Sequence, residues 1–198
     1  MTPKVFMIGG PNGAGKTTAA MLLLPQYLDV FEFVNADEIA RGINPLKPET
    51  ADIAAGRVMI GRIRDLVTAR KNFAFETTCA GHHHVATLND CRAAGYQISV
   101  VFYWLPLPEE AIWRVKRRVK QGGHNIPEAT IRRRYFAGLK NLVNIYLPLV
   151  DLAVVYNNSN YHVNGENEII ASKIRQREEL TIVDSVTWQD ILTVAARE

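Results

Sequence analysis

The sequence predicts an α/β domain: a five-stranded parallel sheet flanked by helices. Short apolar runs alternate with longer segments of helical periodicity, and that alternation implies right-handed crossovers between parallel strands. The first strand also passes through a glycine-rich turn directly into a helix. A chain of 198 residues is long enough to bury the core of one such domain and short for two.

Taken in order, residues 4–8 read as a buried strand. Residues 17–24 follow as a helix expected to end at Pro25, which removes a backbone donor and crowds the preceding turn. The second strand is expected over 31–35, with Asp37 just past its end. Pro48 then opens a long helix, proline being suited to a first helical position. Ile53, Ile60, Ile63 and Val67 recur there at helical spacing and predict the buried face, with Arg57, Arg62 and Arg64 left in solvent. Residues 73–76 form the third strand. A helix over 82–94 turns Val85 and Leu88 inward and stops at Gly95. The fourth strand, 98–104, is apolar throughout, as a strand covered on both faces should be, and the fifth spans 152–155. Beyond it, 168–173 and 179–183 flank Gln176, Arg177 and Glu178 as a small C-terminal β-hairpin, and 187–196 closes the chain as a helix.

The run Gly10, Pro11, Asn12, Gly13, Ala14, Gly15, Lys16, Thr17 fits the G-x-x-x-x-G-K-[ST] phosphate-binding loop at every fixed position, with strand before and helix after. Its glycines let successive N–H groups converge on phosphate oxygens at the positive end of a helix. Lys16 supplies a mobile charge for the β- and γ-phosphates. The Thr17 hydroxyl suits Mg²⁺, which binds through few protein groups plus substrate phosphates. Together with Thr18, these residues predict an ATP or GTP site within the P-loop containing nucleoside triphosphate hydrolase fold.

In a parallel sheet the ligand lies outside the carboxyl ends of the strands. Asp37, Glu76, Thr77, Thr78 and the run Asn157, Asn158, Ser159 all fall at or just after strand ends, and are candidates for one shared site. A carboxylate at Asp37 can reach both an acceptor and a metal; its other role is a helix N-cap. Glu76 suits contact with the acceptor or with a metal-bound water, or capping of the next turn. The consecutive histidines His82 to His84 cannot point at one metal at about 100° per residue, and are expected in solvent near a helix start.

Residues 108–146 read as a helical lid. Pro108 and Pro127 each start a helix; Ile112, Val115 and Val119 stripe the first, and Ile131, Tyr135, Leu139 and Leu142 the second. Gln121, Gly122, Gly123, His124 and Asn125 break the pair. Arg114, Arg117 and Arg118 lie beside or opposite the first stripe, and Arg132, Arg133 and Arg134 occupy the second helix. Most of these cations are expected on a solvated face, with two or three delivering charge to a transferring phosphoryl group. The net charge of +3 sits largely in this segment and does not by itself indicate a nucleic-acid binder, and no aromatic platform accompanies it. Cys79 and Cys91 are too few for a disulfide framework. No secretory pattern opens the chain and no apolar run approaches a membrane span, so a soluble cytoplasmic protein is expected.

The ordered set of the glycine-rich loop, Asn35-Ala36-Asp37-Glu38-Ile39-Ala40, Phe75-Glu76-Thr77-Thr78, Gly122-Gly123-His124-Asn125-Ile126-Pro127, Arg133-Arg134-Tyr135 and Asn157-Asn158-Ser159 resembles the compact bacterial branch of the zeta-toxin-like P-loop kinases. The resemblance runs from about Lys4 to Ser159 and, more loosely, through the C-terminal hairpin. It implies ATP-dependent phosphorylation of a hydroxyl, in the best-known members the 3′-hydroxyl of UDP-N-acetylglucosamine. By position it implies that Lys16 and Thr17 hold phosphates and Mg²⁺, that Asp37 is the base, and that Arg118 with Arg133 or Arg134 are lid arginines. Asn158 would border the adenine. An antitoxin protein is the partner implied. A different sugar nucleotide, an antibiotic or a nucleic-acid 5′ end stands as another acceptor, and a nucleotide-dependent switch or RNA-associated ATPase as another function.

Overall fold

Strand β1 (Lys4–Gly9) holds Val5, Met7 and Ile8 without exposure, so both of its faces are covered and it sits at the middle of the sheet. The computed structural model describes residues 2–123, 125–159, 168–174 and 179–196. His124 of the Gly-Gly joint and the expected hairpin-turn residues Gln176, Arg177 and Glu178 lie outside the described residues. On one side β1 pairs with β3 (Phe73–Thr77), and β3 with β2 (Phe33–Val34). On the other it pairs with β4 (Gln97–Trp104), and β4 with β5 (Leu152–Asn157). These five strands are parallel, as the alternation of elements predicts.

The C-terminal hairpin is not a separate feature. Strand β6 (Glu168–Lys173) pairs antiparallel with β5, and β7 (Thr181–Ile182) with β6, giving a seven-stranded sheet in the order β2-β3-β1-β4-β5-β6-β7. Around it pack α1 (Lys16–Tyr27), α2 (Ala36–Ile43), a 3₁₀ turn (Pro48–Ala51) leading into α3 (Asp52–Thr68), α4 (His83–Ala93), α5 (Pro108–Lys120) and α6 (Glu128–Asn141). A π-helical turn, Leu142–Tyr146, continues α6, and α7 (Ser185–Ala195) starts on an Asp184 cap.

Several expectations need correction. Helix α1 runs through Pro25 to Tyr27: in a last turn proline costs a single backbone bond, and Val30 N closes the end on the Leu24 carbonyl at 3.0 Å. Strand β2 is only two residues long, because Asn35 leaves it to cap α2 and Phe31 stays 75% exposed.

The buried face of α3 is Ala55, Met59, Ile63 and Leu66, about a quarter turn from the isoleucine stripe. Ile53 is 75% exposed and Ile60 42%; only Ile63 enters the core fully, with Val67 packed at its edge. The cause is the neighbour: small residues Ala40 of α2 and Ala51 of the 3₁₀ turn close on Ala55 and fix which side faces inward.

The segment expected to form a lid is rooted in the body. Ile112 and Val115 of α5 and Ile131, Tyr135 and Leu139 of α6 belong to the central core, and the Tyr135 hydroxyl donates to the Leu105 carbonyl at 2.8 Å. Val119 is only partly buried. Exposed ion pairs Arg132–Glu109 (2.6 Å) and Lys116–Glu128 (2.5 Å) join the two helices. The end of α5 is what leaves the core, and Ile126 returns to it before α6 begins.

The corrected α3 face makes a direct test. Met59→Ala is expected to cost about 2–5 kcal/mol by emptying a core position, whereas Ile53→Ala changes stability by less than about 0.5 kcal/mol. Urea denaturation of the two variants measures both.

Candidate functional site

The site grows from the carboxyl ends of β1, β2 and β3. After β1 the chain must turn sharply: Gly10 and Gly13 have φ of 140° and 78°. A Cβ on Gly10 would run into the Tyr103 carbonyl oxygen, and one on Gly13 would sit 2.9 Å from the Ala111 carbonyl, so only glycine fits. The turn delivers Lys16 and Thr17 to the first turn of α1. Lys16 is 6% exposed, and its Nζ donates to the Pro11 carbonyl of its own loop at 3.0 Å.

Glu76 near the end of β3 collects the charges and hydroxyls around it. Lys16 Nζ lies 3.5 Å from Oε1, the Thr17 hydroxyl donates to Oε2 at 2.6 Å, and Asn35 Nδ2 donates to the same oxygen at 2.8 Å. The Thr17 proton points to Glu76 and Thr17 Oγ1 accepts from Asn35 Nδ2 at 3.4 Å, which leaves one lone pair of Oγ1 for a cation.

Asn35 was not singled out by the sequence. It is 6% exposed and caps α2, its Oδ1 accepting from the backbone N–H groups of Asp37 (2.8 Å) and Glu38 (3.3 Å). The cap is therefore Asn35 and not Asp37, whose carboxylate is left exposed at the site. The readable signal was an asparagine, a preferred cap, two residues before an acidic first turn.

Two cavities meet here. One, of about 310 Å³, runs along the phosphate loop and is bordered by Thr18, Arg114, Arg117, Arg118 and Asn158. The other, of about 230 Å³, lies between α3 and α4 and is bordered by Thr77, Thr78, His84 and Arg134, with Met59 and Ile60 as an apolar wall. Asn12, Lys16, Asp37 and Glu76 line both. So Ile60, expected in the core, borders a cavity instead. Arg133 is exposed and lines neither.

The first cavity fits a nucleotide and its Mg²⁺ in the chemistry of its walls. Asn158 Nδ2 donates to the Ala14 carbonyl at 2.5 Å, fastening β5 to the loop. The Oδ1 atoms of Asn158 and Asn12 are buried with no partner among the described residues, which leaves acceptors for a ligand's donors. Arg114 was expected on a solvated face but is 8% exposed. Its Nη2 donates to Glu110 Oε1 (2.6 Å) and to the carbonyls of Asn158 (2.9 Å) and Ser159 (3.3 Å). The sequence carried the hint of Glu110 four residues before it.

The histidines divide. His82 and His83 are exposed, but His84 is 5% exposed, its ring 4.8 Å from that of Phe75 and 3.9 Å from that of His83. Burial, with His83 beside it, pushes the His84 imidazole down to about 3, so it is neutral in the cavity wall. Burial raises the Cys79 thiol to about 12, which removes it as a nucleophile. Among the described residues no cluster of His, Cys, Asp and Glu is arranged to hold a metal by itself, and no helix is long and apolar enough to cross a membrane.

A glycine-rich loop at the centre of a parallel sheet, with a lysine and a threonine on one carboxylate and a second cavity at its tip, is the architecture of a P-loop kinase. The match to a family model is more specific: Zeta toxin, over residues 1–169, and the chain belongs to that family. An uncharacterized protein of Haemophilus influenzae is 32% identical over 136 residues, covering 68% of this chain and 94% of that protein. The complex of AvrRxo1-ORF1 and -ORF2 with ATP shares the fold at a TM-score of 0.78 with 14% identity, covering 99% of this chain. This chain spans 65% of that one. The PezAT chromosomal toxin–antitoxin system of Streptococcus pneumoniae aligns at 0.67 with 15% identity over 98% of this chain and 84% of its own.

The neutral His84 sets a pH dependence. Unfolded, a histidine binds its proton near pH 6.5; folded, His84 resists until about pH 3, so stability is full above 6.5 and falls as the pH drops toward 3. The slope from this one group reaches about 1.4 kcal/mol per pH unit. His84→Leu is expected to flatten that part of the curve, as read by urea denaturation of both proteins between pH 7.5 and 5.

Proposed function

We propose that this chain is an ATP-dependent kinase that phosphorylates a hydroxyl of a small molecule, with UDP-N-acetylglucosamine as the favoured acceptor. The observation that carries the reading is the meeting of two cavities at Asp37, Lys16 and Glu76. A nucleotide hydrolase needs one cavity and a water; a transferase needs a second chamber opening on the phosphoryl group.

In this reading the loop from Gly10 to Thr18 holds the phosphates, and Lys16 exchanges its bond to the Pro11 carbonyl for phosphate oxygens. Thr17, with its proton given to Glu76, would hold Mg²⁺. The chemistry that ion supplies when bound is neutralisation of charge on the phosphate oxygens. Asp37 takes the proton of the acceptor hydroxyl as its oxygen bonds to the γ-phosphorus and the bond to the β-phosphate bridging oxygen breaks, releasing ADP. Catalysis by such a site is mostly positioning and charge stabilisation. Arg118 on the nucleotide side and Arg134 on the acceptor side are the arginines whose placement supports that role; Arg133, exposed, is the weaker candidate. Thr77 and Thr78 offer hydroxyls to the acceptor, and Asn158 borders the adenine.

The family and the PezAT toxin–antitoxin neighbour support a toxin role with an antitoxin protein as partner. The AvrRxo1 complex with ATP supports ATP as the donor. The cytoplasm, where ATP and sugar nucleotides are held, is the compartment this activity requires.

Incubation with ATP, Mg²⁺ and a panel of UDP-sugars, read by mass spectrometry, tests the proposal. The wild type is expected to add one phosphate to UDP-N-acetylglucosamine. Lys16→Ala should abolish transfer, and Asp37→Asn should bind ATP normally while transfer falls at least about 10²-fold, the lower range for a proton-transfer group. Full transfer by Asp37→Asn would remove it as the base. ATP hydrolysis stimulated by RNA, with no sugar gaining mass, would favour a nucleic-acid-associated ATPase instead.

A further inference from the structure

One face of α6 reaches both the second cavity and the loop that builds it. Arg134, Gly138 and Asn141 stand at i, i+4 and i+7, which places them in one line along the helix. Arg134 borders the cavity. One turn on, Gly138 lies against the Thr78 carbonyl, where an added Cβ would fall 2.5 Å from the oxygen. At the end of the line Asn141 is 6% exposed with both ends of its amide engaged: Nδ2 donates to the Cys79 carbonyl at 2.8 Å, and Oδ1 lies 3.0 Å from His82 Nε2. The π-helical turn that follows brings the Tyr146 hydroxyl to the Gly81 carbonyl at 2.5 Å.

Every partner in this set belongs to the segment between β3 and α4, which begins at the cavity residue Thr78, directly after Thr77 at the end of β3. That segment is tightly determined. Cys79 adopts φ 59°, a conformation a non-glycine residue holds only when its surroundings impose it, and its N–H is taken by Thr77 Oγ1 at 3.0 Å. The apolar contacts of Ile131 and Leu139 bury α6 but are non-directional, so they do not define its axial position. Directional contacts do, because hydrogen bonds and hard contacts fail over fractions of an ångström: the Tyr135 hydroxyl on the Leu105 and Pro106 carbonyls holds the helix beyond β4, and the amide of Asn141 and the backbone approach at Gly138 hold it on the Thr78 side.

We propose that Gly138 and Asn141 are positioning residues that latch α6 in register on the Thr77–Thr78 segment and so set where Arg134 stands in the acceptor cavity. A slip of one residue moves a helix by about 1.5 Å, and about 1 Å of misplacement at a reacting centre is enough to cost roughly 10²-fold in rate. The latch rests on reading the second cavity as the acceptor site.

A double-mutant cycle tests it. Transfer of labelled phosphate from ATP is measured with UDP-N-acetylglucosamine for the wild type, Arg134→Ala, Asn141→Ala, their combination and Gly138→Ala; if the sugar nucleotide takes no label, release to water is read in the same reactions. Asn141→Ala and Gly138→Ala are each expected to lower the rate about 10- to 100-fold, with the KM for ATP unchanged within about twofold. On the Arg134→Ala background, removing Asn141 should lower the rate less than about twofold further, since both changes act through one guanidinium. Full multiplication of the two effects, or a matching rise in the KM for ATP, overturns the latch. Wild-type rate in Arg134→Ala overturns the latch and removes that arginine from the acceptor reading as well. A coupled cycle seen only in release to water supports the latch while displacing the sugar nucleotide as acceptor. Should Asn141→Ala not fold, Tyr146→Phe, which deletes a single hydroxyl, takes its place in the cycle.

Discussion

The carboxylate of Glu76 is the interaction on which the site depends. It is 12% exposed and binds three side chains from two places in the chain: Lys16 and Thr17 on α1, and Asn35 at the start of α2. A buried carboxylate is tolerable only with such company, and removing one partner of a buried ion pair costs about 3–5 kcal/mol. The strand ends of β1, β2 and β3 are therefore fixed to one another by a single group. Asp37 follows from this arrangement, because the same Asn35 that donates to Glu76 caps the helix carrying Asp37. The phosphate loop and the acid beside it are held by one continuous network.

The two long helices after β4 extend that logic to the far walls. On α5, Arg114 ties Asn158 and Ser159 to the nucleotide side, while Asn158 in turn holds the Ala14 carbonyl. On α6, the residues beyond Arg134 grip the segment after β3. Each helix is anchored in the core, α5 through Ile112 and Val115 and α6 through Ile131, Tyr135 and Leu139.

Much of this was legible in the sequence, for reasons that differ by residue. The glycine-rich loop could be read because its chemistry is carried by the backbone, and only glycine satisfies the turn and the close approach to the Tyr103 and Ala111 carbonyls. The strands were legible because their centres are apolar on both faces. Asp37, Glu76, Thr77 and Thr78 were placed at one site by the rule that ligands gather at strand ends, and they do line the cavities there. The buried face of α3 was not legible: two overlapping stripes share Ile63, and the choice between them is made by Ala40 and Ala51, outside the helix. Nor could charge alone reveal that Arg114 turns inward while Arg133 stays out, since both sit among arginines. His84 followed the same pattern, a polar residue made into cavity wall by Phe75.

Strand β5 would be the exposed margin of the five-stranded sheet, offering a row of unpaired backbone groups to any passing chain. Strand β6 occupies that margin, with Ile170 and Ala171 turned into the core and α7 packing Ile191 behind them. Among the described residues, none that lines either cavity lies after Asn158. Among the described residues, the cavity walls and the strand that covers the sheet margin thus come from separate lengths of the polypeptide. Among the described residues beyond Ser159, the apolar side chains Ile170, Ala171 and Ile191 serve to cover that margin.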